Sequence, residues 1–128
     1  EQIKSITNLE QSNFSLIVID NITDLFSYEY QKDESIFEKN LLFMKYMHEL
    51  SKLAITKKIP IIITNMIRIA NDTEIENMQN AIDPYTHIKI HLFKKLSKFN
   101  GQIYWALKKE NFSYTINKIG LSDNNEDF

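Results

Sequence analysis

Apolar and polar positions along the chain follow two periods, and the change of period marks out the elements. Asn13 to Asp20 (NFSLIVID) begins polar and becomes a continuous apolar run. That is the pattern of a strand buried on both faces, as in the middle of a parallel sheet. From Ser35 to about Lys58 the apolar residues recur at steps of three and four: Ile36, Leu41, Phe43, Met44, Met47, Leu50, Leu53 and Ala54. Glu38, Lys39, Lys45, Glu49 and Lys52 fill the gaps. This predicts an amphipathic helix with one face for a sheet. Asp33, Glu34 and Ser35 are start signals, and Lys57–Lys58 suit its carboxyl end. Pro60 to Asn65 (PIIITN) is a second apolar strand tipped with polar residues. Strand, helix and strand in this order predict a βαβ unit with its two strands parallel in one sheet.

Beyond Asn65 the pattern changes. Met66 to about Tyr85 is polar and reads as a long loop with one helical turn; loops longer than roughly 12–15 residues are commonly functional. His87 to Phe93 alternates polar and apolar, as in a half-buried strand. Lys94, Lys95, Lys98, Asn100 and Gly101 read as a turn, and Gln102–Leu107 and Phe112–Ile116 as two more strands, giving an antiparallel meander. Residues 1–10 suit a short helix and residues 124–128 an acidic, frayed tail. No repeat or linker divides the chain, so the expected organisation is one domain portion over residues 1–123 followed by the tail.

Composition narrows the function. Of the 128 residues 43% are hydrophobic, among them eight Phe and six Tyr, which is enough for a real core. Fifteen Lys and Arg face seventeen Asp and Glu, so any contact with nucleic acid has to come from a local basic patch. The absence of cysteine excludes disulfides, thiolate metal sites and a cysteine nucleophile. No apolar run reaches the roughly 20 residues of a membrane span. The expected location is the cytoplasm, or the nucleus in a eukaryote. The only glycines are Gly101 and Gly120, and neither GxGxxG nor GxxxxGK[ST] occurs. The chain starts at Glu1 rather than Met, which suggests a fragment of something longer.

Several residues are candidates for chemistry. Asp20 stands at the carboxyl end of its strand, where open α/β sheets bind ligands, and reads either as a metal or phosphate-site acid or as a helix N-cap. Thr64 and Asn65 end the second strand at the same edge, as nucleotide contacts or as caps. His87 and His91 have a helical ligand spacing, but their segment alternates like a strand, which argues against a shared metal. Arg68, Lys89, Lys94, Lys95 and Lys98 read either as contacts to nucleic-acid phosphates or as a solvated face.

Taken in order, these segments resemble the carboxyl-terminal half of the RecA/RadA recombinase core. SLIVIDNITDLFSYEY is similar to the family's Walker B strand and the segment after it. NLLFMKYMHELSKLAITKKIPIIITN resembles the helix with an MHxLxxLA pattern that leads into a VTNQ strand. THIKIHLFKK is similar to TRIYLRK, and FSYTINKIGLSD to FxITxxGIxD. The resemblance spans residues 12–123 and implies a RecA-like α/β fold, a parallel βαβ unit continuing into an antiparallel meander. It implies that Asp20 is the Walker B acid, catalytic and holding Mg²⁺ through water in an ATP site of the parent protein. Asn65 and Met66 would face the nucleotide. The segment 21–34 and the segment 66–85 would be the first and second DNA-binding loops, with Arg68, Lys89, Lys94 and Lys95 on DNA.

Departures from the family pattern qualify the implied function. The phosphate loop and catalytic glutamate of the family's amino-terminal half are not in this chain, and Met66 replaces the γ-phosphate-sensing Gln. NAIDPYTH stands where the family has GGH, and KKEN where it has a longer proline-rich cap. The resemblance therefore implies a diverged RadA-like (RadB-like) paralogue in recombination and repair. Its parent would be a DNA-dependent ATPase, while this chain alone would be inactive and hold no nucleotide tightly. Its expected partners are DNA, single-stranded above all, and recombinase subunits, together with a missing amino-terminal half or a second copy that covers exposed strand faces. The competing readings are a non-catalytic assembly subunit and a KaiC- or helicase-type ATPase outside recombination.

Overall fold

The computed structural model of the protein describes residues 13–24, 26 and 36–123. The helix expected over residues 1–10, the start signals at Asp33 to Ser35 and the tail 124–128 lie outside the described residues. The chain forms two compact units, Glu1–Tyr85 and Thr86–Phe128. The α/β reading holds: a parallel strand pair with its helix is followed by an antiparallel meander.

In the first unit β1 (Ile17–Ile19) and β2 (Ile61–Ile63) pair in parallel, Ile17 with Ile61 and Ile19 with Ile63. The crossover between them carries α1 (Ile36–Lys57). Phe43, Met47, Leu50 and Leu53, spaced by three and four, form its buried stripe. They join Ile22, Phe26, Ala81 and Ile82 in the core, against which Ile17, Ile19, Ile61 and Ile63 pack from the sheet. The Phe26 and Phe43 rings meet edge to face with centroids 4.9 Å apart. Ile36, Leu41 and Met44, expected on the buried face, are exposed instead. The full apolar character of the strands is matched on one face only. Leu16, Val18 (58%) and Ile62 (51%) remain exposed on the other.

The helix stops through its backbone. Lys58 takes a left-handed φ of 54°, and the Ile59 N–H donates to the Ala54 carbonyl at 3.2 Å. This is the Schellman arrangement, here without its usual glycine.

The long loop expected over residues 66–85 is structured. β3 (Ile67–Ala70) and β4 (Thr73–Glu76) form an antiparallel ribbon in which Ala70 pairs with Thr73. The two-residue turn Asn71-Asp72 has φ of 51° and 57°, as a type I′ hairpin requires; Asn and Asp tolerate that region best after glycine. A short helix α2 (Gln79–Ile82) and a 3₁₀ turn (Asp83–Tyr85) follow.

The second unit is a four-stranded meander: β5 (Ile88–Lys95), β6 (Lys98–Trp105), β7 (Lys108–Asn117) and β8 (Gly120–Asp123). The turn expected at Lys94–Gly101 is in fact two strands joined by Leu96-Ser97, with φ of 48° and 69°. Asn100 and Gly101 lie inside β6.

Candidate functional site

The carboxyl edge of the parallel pair brings Asp20 and Thr64 together. Hydrogen bonds from the Thr64 N–H to the Ile19 carbonyl and from the Ile22 N–H to the Thr64 carbonyl, each 3.0 Å, hold both strand ends in register. The Thr64 hydroxyl then donates to Asp20 Oδ1 at 2.5 Å. Asp20 is exposed, and it is not the cap of the following turn. That role belongs to Asn21, whose Oδ1 accepts from the Thr23 N–H at 3.4 Å and whose Nδ2 donates to Asp24 at 2.9 Å. A surface carboxylate steadied on one oxygen by a hydroxyl suits a hydrated Mg²⁺. Among the described residues no group of three or more His, Asp or Glu could hold a metal by itself.

The Asn65 side chain is engaged within the chain. Its Oδ1 accepts from the Met66 N–H at 3.0 Å and from the hydroxyl of Thr23 at 2.9 Å. Its Nδ2 donates to the Asn77 carbonyl at 2.7 Å and to Glu76 Oε1 at 3.2 Å. Two acceptor sites and two N–H groups are the full capacity of a carboxamide. Thr23, which nothing in the local sequence pattern singles out, is 0% exposed. Met66 is exposed and carries no strong donor for phosphate.

Arg68 lies on β3 in the ribbon, accompanied by Asp72, Glu74 and Glu76. Arg68 pairs with Ile75 on one side of the ribbon, while Glu74 and Glu76 stand on the other with Ile69 and Ile67.

The meander sorts its lysines by face, because directly paired residues share a side of the sheet. On one face Lys89, Tyr104 and Lys109 form a row, followed by His91, Gln102 and Asn111, then Phe93, Asn100 and Ser113, then Lys95 and Lys98. None of these is a carboxylate. The Lys109 ammonium sits 5.2 Å from the Tyr104 ring centroid. The opposite face carries the apolar residues Ile88, Ile90, Leu92, Ile103, Trp105 and Phe112, with Lys108 and Glu110 at the β7 positions paired with Trp105 and Ile103. Lys94 is on that apolar side, 5.3 Å over the Phe99 ring, and is thereby separated from Lys89 and Lys95. Lys98 and Lys109 complete the basic face. The alternation in KKENFSYTIN is the sequence signal that could have found Lys109. His91 lies on the basic face with its ring 5.2 Å from that of Phe93.

No helix among the described residues is long and apolar enough to cross a membrane. A family model described as Rad51 matches residues 2–119. No curated protein matches the chain.

Proposed function

The chain belongs to the Rad51 family, and from that premise we propose that it is part of a diverged RadA-like (RadB-like) paralogue that binds single-stranded DNA during recombination and repair. Membership of the family supports a RecA-like role in recombination and repair in general. The finer reading rests on the basic face of the meander. Lys89, Lys95, Lys98 and Lys109 stand there with Phe93 and Tyr104 and with no carboxylate. Ammonium groups take the phosphates of a single strand, and the half-buried rings of Phe93 and Tyr104 offer it aromatic surface without reading sequence. In this reading the chain matches the carboxyl-terminal part of an ATPase core whose nucleotide is MgATP. Asp20, steadied by the Thr64 hydroxyl, would hold the metal through water. The bound group would supply charge neutralisation at the phosphates, and this chain's part is to orient that carboxylate. Asn65 spends its amide internally, and Met66 offers no strong donor, so the nucleotide contact of this chain rests on Asp20.

The test is fluorescence anisotropy with a labelled oligo(dT), titrated with salt. Charge reversal at Lys89, Lys95, Lys98 and Lys109 is expected to weaken binding at least tenfold. It should also flatten the salt slope by roughly 0.7 for each phosphate no longer neutralised. Lys94→Ala and Lys108→Ala, on the other face, should leave binding close to that of the unaltered chain. Equal loss from both sets would overturn the assignment.

One observation favours a second reading, a non-catalytic assembly subunit. The ribbon that stands where the family's second DNA-binding loop is expected carries mostly acids and isoleucines, which suits protein more than DNA. Pull-down of a cognate recombinase with and without ATP separates the two; nucleotide-independent capture supports the assembly subunit.

A further inference from the structure

One side chain closes the base of the β3–β4 ribbon. At the ribbon's entry the Met66 N–H donates to Asn65 Oδ1, and at its exit the Asn77 carbonyl accepts from Asn65 Nδ2. The backbone bond from the Asn77 N–H to the Met66 carbonyl, 3.2 Å, lies between them. The same carboxamide reaches out of the ribbon to the hydroxyl of Thr23, 42 positions earlier in the chain. Thr23 is fully buried in the turn that follows Asp20, beside the core residue Ile22. Asn65 therefore joins three things: both ends of the ribbon and the turn behind the Asp20 edge.

We propose that Asn65 is a positioning residue that fastens the ribbon to the Asn21–Thr23 turn, so that ribbon and turn are presented to a partner as one body. The arrangement needs two acceptors and two donors at the reach of a single methylene, which among side chains is Asn. Aspartate keeps the shape and loses the donors. An oxygen would then face the Asn77 carbonyl and Glu76 Oε1, an arrangement without a hydrogen. Thr23→Val keeps the volume and removes the hydroxyl that links the turn to Asn65 at 2.9 Å, together with its longer contact, 3.2 Å, to Asn21 Oδ1 inside the turn. The inference rests on the reading above only for what the ribbon is presented to. The fastening is measured on the chain alone, so it can fail or stand independently of DNA binding.

The experiment is residue-resolved hydrogen exchange on the full chain, with Asn65→Asp and Thr23→Val compared with the unaltered protein. At neutral pH Asn65→Asp is expected to speed exchange across Arg68–Asn77 roughly tenfold or more, the effect of leaving buried partners unsatisfied. The amides of Ile17–Ile19 and Ile61–Ile63 should not change. Lowering the pH protonates the introduced acid, which faces Glu76 on the ribbon and is linked through Thr23 and Asn21 to Asp24. A donor then returns, and ribbon protection, corrected for intrinsic rates, should recover. Thr23→Val should speed ribbon exchange at every pH. Ribbon protection unchanged in either variant, or exchange rising equally in ribbon and parallel strands, would overturn the proposal.

Discussion

At the scale of single residues, Gly101 shows how a strong local signal can serve another purpose. Asn-Gly between alternating segments is the best short-range sign of a hairpin turn. Here it lies within a central strand, and the reason is space. Gly101 pairs with Leu92 on one side and Phe112 on the other, and a Cβ at this position would fall 2.0 Å from the Phe112 ring. Gly101→Ala must drive that ring from its rotamer and is expected to cost about 1–3 kcal/mol, read by denaturant unfolding. Adding Phe112→Ala should relieve the clash without restoring the packing that the ring provides. Tyr46 yields a prediction in pH. Burial against Phe26 raises its phenol above the ordinary 10.0, because the phenolate is poorly solvated there. The folded state thus holds the proton longer than the unfolded one. The stability this represents is present below pH 10 and is lost as pH rises through the folded value. Tyr46→Phe should diverge from the unaltered protein only at alkaline pH, and unfolding curves on either side of pH 10 will show it.

At the scale of elements, the backbone's left-handed residues decide most of what was and was not legible. The helix and both parallel strands were legible because burial imposes a period: Phe43, Met47, Leu50 and Leu53 can face one core only at helical spacing. The β3–β4 ribbon was hidden because its apolar residues are few and its turn is Asn-Asp rather than Asn-Gly. The Leu96-Ser97 turn was hidden more deeply, since neither residue favours positive φ. Asp20 and Thr64 could be placed on one edge from the sequence, because parallel strands end together. The saturation of Asn65 could not, because its partner Thr23 is distant in sequence and matches no pattern. At Lys58, a left-handed helix end lacks glycine. Lys58→Gly removes the Cβ conflict and should stabilise the first unit by about 0.5–1 kcal/mol net of the extra freedom of the unfolded chain. Thermal melting would register this as a rise of a few degrees.

At the scale of the whole molecule, the units differ in what holds them. The first has a contiguous core. The second buries only Gly101 among its described residues and relies on its backbone ladders and cross-strand pairs such as Phe99 with Tyr114. Ile88, Ile90, Leu92, Ile116 and Leu121 stay exposed along its apolar side, and Val18 and Ile62 along the open face of the first. Apolar surface this extended normally marks an interface. Sedimentation at rising concentration should show the isolated chain associating, and Ile90→Lys should weaken that association; a monomer at all concentrations would show that these faces tolerate water. The strand around Gly101 has one more consequence, in the chemical lifetime of the protein. Asn-Gly peptides age by deamidation, in which the glycine nitrogen attacks the asparagine side chain through a cyclic imide. β5 and β7 clamp this peptide from both sides in an extended form that keeps those atoms apart. The link therefore ages only when the strands part, and the aspartate that accumulates at position 100 in a stored sample is a clock for the opening of the meander.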